Sequence, residues 1–244
     1  VSEQNRDQDP TEPAAVRAED ARKERNRKVG LAAMVVVILG AVVAAGVWAS
    51  NGSGTTAPTT HLVVIAGDGT VVVGKSTAPV KITIYEDFLC PHCRELEEST
   101  RDYLRLNAAD GKVQVTYHPI NLLTSSTYSA RALNAWAAVL TKGTPQQALR
   151  LHDLLYDDQP DESAADGTTN ADIAKLVARS GATNSAVTAA LSVTDTAFLA
   201  AAQEAMVTAK VTDPPTIYLN GRELPTAAVS DLVSQIESAV DAAS

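Results

Sequence analysis

The stretch Glu86-Asp87-Phe88-Leu89-Cys90-Pro91-His92-Cys93 stands where one apolar pattern stops and another begins. Residues 80–85 before it read as a strand. From Cys93 to about Leu106 the spacing turns helical, with Leu96, Tyr103, Leu104 and Leu106 as candidate inward residues. Residues 112–117 (KVQVTY) then alternate as a second strand. A β–α–β unit therefore surrounds the chain's only two cysteines, and any fold must carry that pair at a strand-to-helix junction.

Cysteines this close cannot staple a domain, because linking them removes little entropy from the unfolded chain. Structural zinc wants four ligands, and no second cysteine pair exists; His61, His118 and His152 are scattered without ligand spacing. A chance pair is a further reading, and a redox-active dithiol fits the placement best. A cysteine at the first turn of a helix faces unpaired backbone N–H groups and the positive end of the helix dipole. Both favour thiolate, which makes Cys90 the expected nucleophile and leaving group. Pro91 suits the first helical position, where a missing N–H costs nothing. His92 can add a donor or a positive charge beside the sulfur, and Cys93 closes or resolves the disulfide.

The rest of the chain divides by composition. Residues 1–28 are polar, hold Pro10 and Pro13, and read as a disordered cytoplasmic tail whose last part is basic. Residues 29–49 (VGLAAMVVVILGAVVAAGVWA) carry no charge over 21 positions. As a helix they would span roughly 30 Å, the thickness of a bilayer core. Basic residues before this run, and none shortly after it, predict a cytoplasmic amino terminus. A cleaved signal peptide ending at Val47-Trp48-Ala49 is the rival reading. The length of the run and of its leading tail favours an uncleaved anchor, and both readings export everything after residue 50. Residues 50–60 form a Gly/Ser/Thr/Pro linker.

Beyond the linker, residues 61–65 and 70–73 flank Gly67-Asp68-Gly69 as a hairpin. Residues 125 to about 210 are helical in character, in segments 130–140, 145–156, 172–180, 184–191 and 195–210. Trp136 sits among Ala and Leu as a core residue, and 157–172 reads as an acidic, solvated loop. Pro214-Pro215 precedes a strand at 216–219 and an Asn220-Gly221 turn. Residues 227–242 read as a closing helix with Thr226 as N-cap. His118-Pro119 is expected to end a strand. Segment 50–244 has 13 Lys/Arg against 22 Asp/Glu and so carries the whole net charge of −9. An acidic domain of this kind argues against nucleic acid.

Three stretches together carry a family resemblance: Glu86 to Cys93, Tyr156-Asp157-Asp158-Gln159-Pro160, and Pro214-Pro215-Thr216-Ile217-Tyr218-Leu219-Asn220-Gly221. Over about residues 61–244 the chain resembles DsbA-like thioredoxin-fold proteins of the membrane-anchored actinobacterial type. The resemblance implies an α/β, thioredoxin-like fold with a helical insertion at about 125–210, preceded by a single transmembrane helix. It also implies that Pro215 is a cis-proline beside the cysteines and that Pro214, Pro215 and Thr216 form the substrate-binding turn. The sequence departs from the family at Pro214, where threonine or valine is usual, so one backbone donor to a bound peptide is lost. It departs again at Ile84, where thioredoxins often carry a buried acid. Glu86 and Asp87 are the acids that could take its place, and Glu86, on the same strand face as Ile82 and Ile84, is the candidate proton relay.

The implied function is an extracytoplasmic thiol:disulfide oxidase that donates disulfides to exported cysteine-containing proteins, with no cofactor and no metal. Two cysteines provide no internal relay, so a membrane reoxidase, DsbB-like or vitamin K epoxide reductase-like, is the expected partner. An anchor at 29–49 would hold both in one membrane. A reductase or isomerase of the same fold, and a redox-silent, membrane-tethered peptide-binding domain, are the alternatives.

Overall fold

The computed structural model describes residues 62–225 and 228–243. The tail, the apolar run at 29–49, the linker, His61 and Thr226 lie outside the described residues. Within the described residues no single helix is long and apolar enough to cross a membrane.

Strand β1 (Val64–Gly67) turns through Asp68 and Gly69 into β2 (Thr70–Val73). Both turn residues have positive φ, 50° and 77°, as a two-residue hairpin with right-handed strand twist demands. β3 (Val80–Asp87) leads into helix α1 (Pro91–Asp110), which returns the chain to β4 (Val113–Ile120). β3 and β4 pair in parallel along their whole length, from Val80 opposite Val113 to Asp87 opposite Ile120. Gly111 takes the left-handed conformation, φ 82°, that ends α1. Late in the chain β5 (Thr216–Leu219) pairs antiparallel with β3 and turns into the two-residue β6 (Arg222–Glu223). The described residues thus form one six-stranded sheet in the order β1-β2-β4-β3-β5-β6, with β3 well inside it.

Between β4 and β5 the chain inserts α2 (Tyr128–Lys142), α3 (Pro145–Asp157), a 3₁₀ turn (Glu162–Gly167), α4 (Asn170–Arg179), α5 (Ser185–Leu191) and α6 (Thr196–Thr208). Two starts are fixed by reciprocal caps, Thr144 with Gln147 for α3 and Thr169 with Asp172 for α4. Trp136 of α2 is fully buried and donates from Nε1 to the Gly69 carbonyl at 3.4 Å, tying the insertion to the β1–β2 turn. The last helix, α7 (Val229–Asp241), packs on α1, where the Tyr103 hydroxyl donates to Asp241 at 2.6 Å.

Alternation sorts the faces of the central strands. Ile82, Ile84 and Glu86 of β3 are buried on one face together with Val113, Val115 and Tyr117 of β4. Tyr85 and His118 stack on the other at 4.6 Å between ring centroids. There α6 and its exit supply Met206 and Val211, which cluster with Ile120.

The structure departs from the sequence reading in several places. α1 runs on to Asp110, and Leu106 is 65% exposed while Leu96 and Leu104 are buried. Two residues along a helix is about 200° of rotation, so Leu104 and Leu106 cannot share a face. β4 continues through His118-Pro119 to Ile120. The β2 ladder stops at Tyr117, so beyond it β4 has a strand neighbour on one side only, and a missing N–H is tolerated there. The acidic 157–172 loop is not wholly solvated: it holds the 3₁₀ turn, the start of α4, and the buried Gln159 and Ala165.

Chemical denaturation checks the α1 face. Leu104→Ala is expected to destabilise the fold by about 2–5 kcal/mol. Leu106→Ala is expected to stay within about 0.5 kcal/mol of the parent.

Candidate active site

β3 delivers the chain to α1 through a short loop held by side-chain hydrogen bonds. Asp87 is fully buried, and its carboxylate accepts from the backbone of Leu89 at 2.9 Å, Leu122 at 2.8 Å and Leu123 at 2.9 Å. The Cys90 N–H donates to the Asp87 carbonyl at 2.9 Å. Cys90 is then the N-cap of α1 in extended conformation, with Pro91 at the first helical position. From the insertion, Gln159 Nε2 donates to the carbonyls of Phe88 at 3.0 Å and Cys90 at 3.1 Å. These contacts surround the residue at which the helix starts, and that residue is the cysteine.

The two free thiols occupy unlike surroundings. Cys90 Sγ accepts from the Cys93 N–H at 3.4 Å and donates as a thiol to the Pro214 carbonyl at 3.3 Å. It keeps 4% exposure, against 1% for Cys93. The hydrogen bond from the Cys93 thiol, with backbone N–H groups of Cys93 and His92, holds the Cys90 thiol below its usual range although burial opposes this. Burial pushes Cys93 well up, and the neighbouring Cys90 sulfur and the Glu86 charge add to it. One sulfur is thus prepared to carry charge and the other to keep its proton.

The Pro214-Pro215 bond is cis, and the Pro214 carbonyl reaches the Cys90 sulfur. Thr216 is half-buried, with its hydroxyl donating to the Asp213 carbonyl at 2.7 Å inside the same turn. His92 is placed differently from its sequence expectation. Its exposed ring lies 3.5 Å from Glu95, and the backbone N–H, not the imidazole, serves the Cys90 sulfur.

Glu86 is 2% exposed and lies 2.6 Å from Nε2 of His152 on α3. Burial raises its pKa, and the His152 charge pulls it partly back. Burial alone would lower His152, yet Glu86 and Glu97 lift it to about 10. Around it Arg101 donates to Glu97 at 2.9 Å, and Arg105 donates to Asp153 at 2.8 Å.

The site therefore gathers Cys90, Pro91, Cys93, Pro214 and Gln159, with Glu86 in electrostatic reach of Cys93. His152 and Gln159 are not picked out as site residues by sequence reasoning, and Asp87, an alternative to Glu86 for the buried acid, holds the loop instead. The usable signal for His152 was its place on the buried Ala148, Leu151 and Leu155 face of α3. A polar residue there needs a buried partner.

Comparison with known proteins agrees with this geometry. The thioredoxin family model matches residues 67–238, more than half the chain. Among solved structures, the reduced disulfide bond oxidoreductase DsbG of Mycobacterium tuberculosis is 26% identical at a TM-score of 0.59, covering 73% of this chain and 94% of that one. Reduced DsbA of the same organism is 24% identical at 0.58, covering 72% and 97%. The thiol-disulfide oxidoreductase MdbA of Corynebacterium diphtheriae is 22% identical at 0.59, covering 72% and 94%. A curated relative, the serine/threonine-protein kinase PknE of M. tuberculosis, is 33% identical over 152 residues, which is 57% of this chain and only 27% of the kinase. The chain belongs to the thioredoxin family, with a DsbA-like architecture.

Proposed function

We propose that Cys90 and Cys93 form the redox centre of an extracytoplasmic oxidase that donates disulfides to exported proteins. The observation that carries the reading is the asymmetry of the pair: Cys90 Sγ caps α1 with its pKa lowered, while Cys93 is sealed with its pKa raised. A substrate thiolate attacks Cys90 of the oxidised enzyme. The Cys90–Cys93 bond breaks, a mixed disulfide forms, and Cys93 leaves with the electron pair and takes up a proton. A second substrate thiol gives up its proton and attacks the mixed disulfide; the substrate departs oxidised and Cys90 remains as thiolate. Stabilising that thiolate favours the reduced enzyme and so makes its disulfide the stronger oxidant.

Pro214, Pro215 and Thr216 are the substrate-binding turn in this reading, because the turn sets a backbone carbonyl against the reactive sulfur. Pro91 and His92 act through the helix start, one by its ring geometry and the other by its backbone N–H. Glu86 relays the Cys93 proton, since it is the buried carboxylate whose charge acts on that thiol. Residues 1–28 form a cytoplasmic tail, 29–49 the membrane anchor, 50–60 a linker and 61–244 the catalytic domain. With two cysteines in the chain, reoxidation falls to a membrane partner, DsbB-like or vitamin K epoxide reductase-like.

Two measurements test the reading. Oxidation of a reduced, cysteine-containing client is expected to be lost in both Cys90→Ser and Cys93→Ser, and Cys93→Ser offered a disulfide-bearing client should trap the mixed disulfide at Cys90. Unchanged turnover in Cys90→Ser contradicts the enzymatic centre. The reduction potential of the pair is expected well above the roughly −270 mV of thioredoxin. A value at or below it would make the protein a reductase.

A further inference from the structure

The ion network around Glu86 is built from both sides of the insertion boundary. His152 is fully buried, and both its ring nitrogens face carboxylates. Nε2 lies 2.6 Å from Glu86, while Nδ1 lies 3.4 Å from Asp153 and 3.6 Å from Glu97. The rings of Tyr117 at 4.5 Å and Tyr156 at 5.1 Å close on the imidazole, with Phe88 and Trp136 both at 6.1 Å. The titratable and charged groups around it are Glu86 from β3, Tyr117 from β4, Glu97, Arg101 and Arg105 from α1, and Asp153 and Tyr156 from α3. Arg101 and Arg105 occupy Glu97 and Asp153, so Glu86 has no cation within ion-pair distance but His152 among the described residues.

A carboxylate taken out of water without a counter-charge keeps its proton. A protonated Glu86 has no capacity to accept another. We propose that His152 is a positioning residue for the exchange reaction, supplied by the helical insertion to hold Glu86 as a carboxylate at the end of β3, the strand that leads into the Cys90–Cys93 helix start. This inference rests on the reading of Glu86 as proton relay. The step it serves is the closing of the disulfide. Cys93 attacks the Cys90 sulfur of a mixed disulfide, the bond to the partner breaks, and the Cys90–Cys93 bond forms. The partner leaves as a thiolate with the electron pair, and the Cys93 proton passes to Glu86. Two carboxylates on the far side of the ring keep the imidazolium charged through this step. The insertion thereby sets the chemistry of a dithiol carried by the thioredoxin core.

The test is the rate at which Cys93 closes a preformed mixed disulfide at Cys90 in the full-length protein, followed by stopped flow across pH. His152→Gln keeps a hydrogen-bonding side chain and removes the charge. It is expected to slow closure at least about tenfold at neutral pH. It should also move the rising limb of the profile to higher pH, because an unpaired Glu86 ionises later. In a Glu86→Gln background the same substitution should add nothing. A His152→Gln protein with unchanged rate and profile, or one that slows both backgrounds equally, overturns the proposal. If Glu86→Gln alone leaves closure unchanged, the relay reading fails first and this inference with it. Slow closure in Glu86→Gln but not in His152→Gln sinks only the present inference. Should His152→Gln not fold, nitrogen NMR of the parent protein decides: the His152 titration midpoint must differ between the reduced and oxidised forms, and one shared midpoint contradicts the coupling.

Discussion

A negative charge on sulfur is tolerable in this protein because one helix begins where it sets the Cys93 thiol and then the backbone N–H groups of its first turn against Cys90. Unpaired N–H groups at a helix start are oriented donors, and they act at full strength only when the acceptor is the N-cap itself. Three side chains fix that position. Asp87 holds the preceding loop by three backbone bonds, Pro91 presets the first helical turn, and Gln159 clamps the carbonyls on either side of Leu89. Each decides that the residue facing the free donors is Cys90 and no other.

The second constraint is electrostatic. Burying Glu86 beneath a dithiol destabilises its charged form, and burying His152 does the same for an imidazolium. Together they compensate, and breaking such a pair leaves an uncompensated buried charge at about 3–5 kcal/mol. Because Glu86 comes from the central strand and His152 from α3, the insertion is not an ornament on a thioredoxin core. It supplies half of an ion pair and, through Gln159, part of the active-site loop. The asymmetry between the two cysteines therefore depends on both layers.

Local signals were legible in the sequence. The β–α–β order around the cysteines, the Asp68-Gly69 turn, the β5 span and the proline-bearing segment before it all read directly from residue type and spacing. The helical insertion was legible as a run of periodic segments, with ends within a few residues. Long-range pairing was not. Nothing in the spacing of Glu86 and His152, 66 residues apart, announces a contact. Gln159 looked like part of a solvated loop because its neighbours are acidic. His92 misled for a related reason: sequence places it beside the sulfur, but helix geometry turns its ring outward and leaves only its N–H facing in. The fold followed from local pattern, whereas the tuning of the site came from tertiary contacts.

The central claim is that the Cys90 sulfur is charged when an ordinary thiol is not. Its folded pKa is depressed, so the thiolate and the stability it lends the reduced protein are full above the ordinary thiol range and fade as pH falls through the lowered value. Alkylation of the reduced protein against pH, with the modified cysteine identified by mass spectrometry, reads this directly. Half-maximal reactivity at Cys90 well below the ordinary value of about 8.5, with Cys93 silent, is the result the account predicts. Reactivity that rises only in the ordinary thiol range, or that appears first at Cys93, would contradict it.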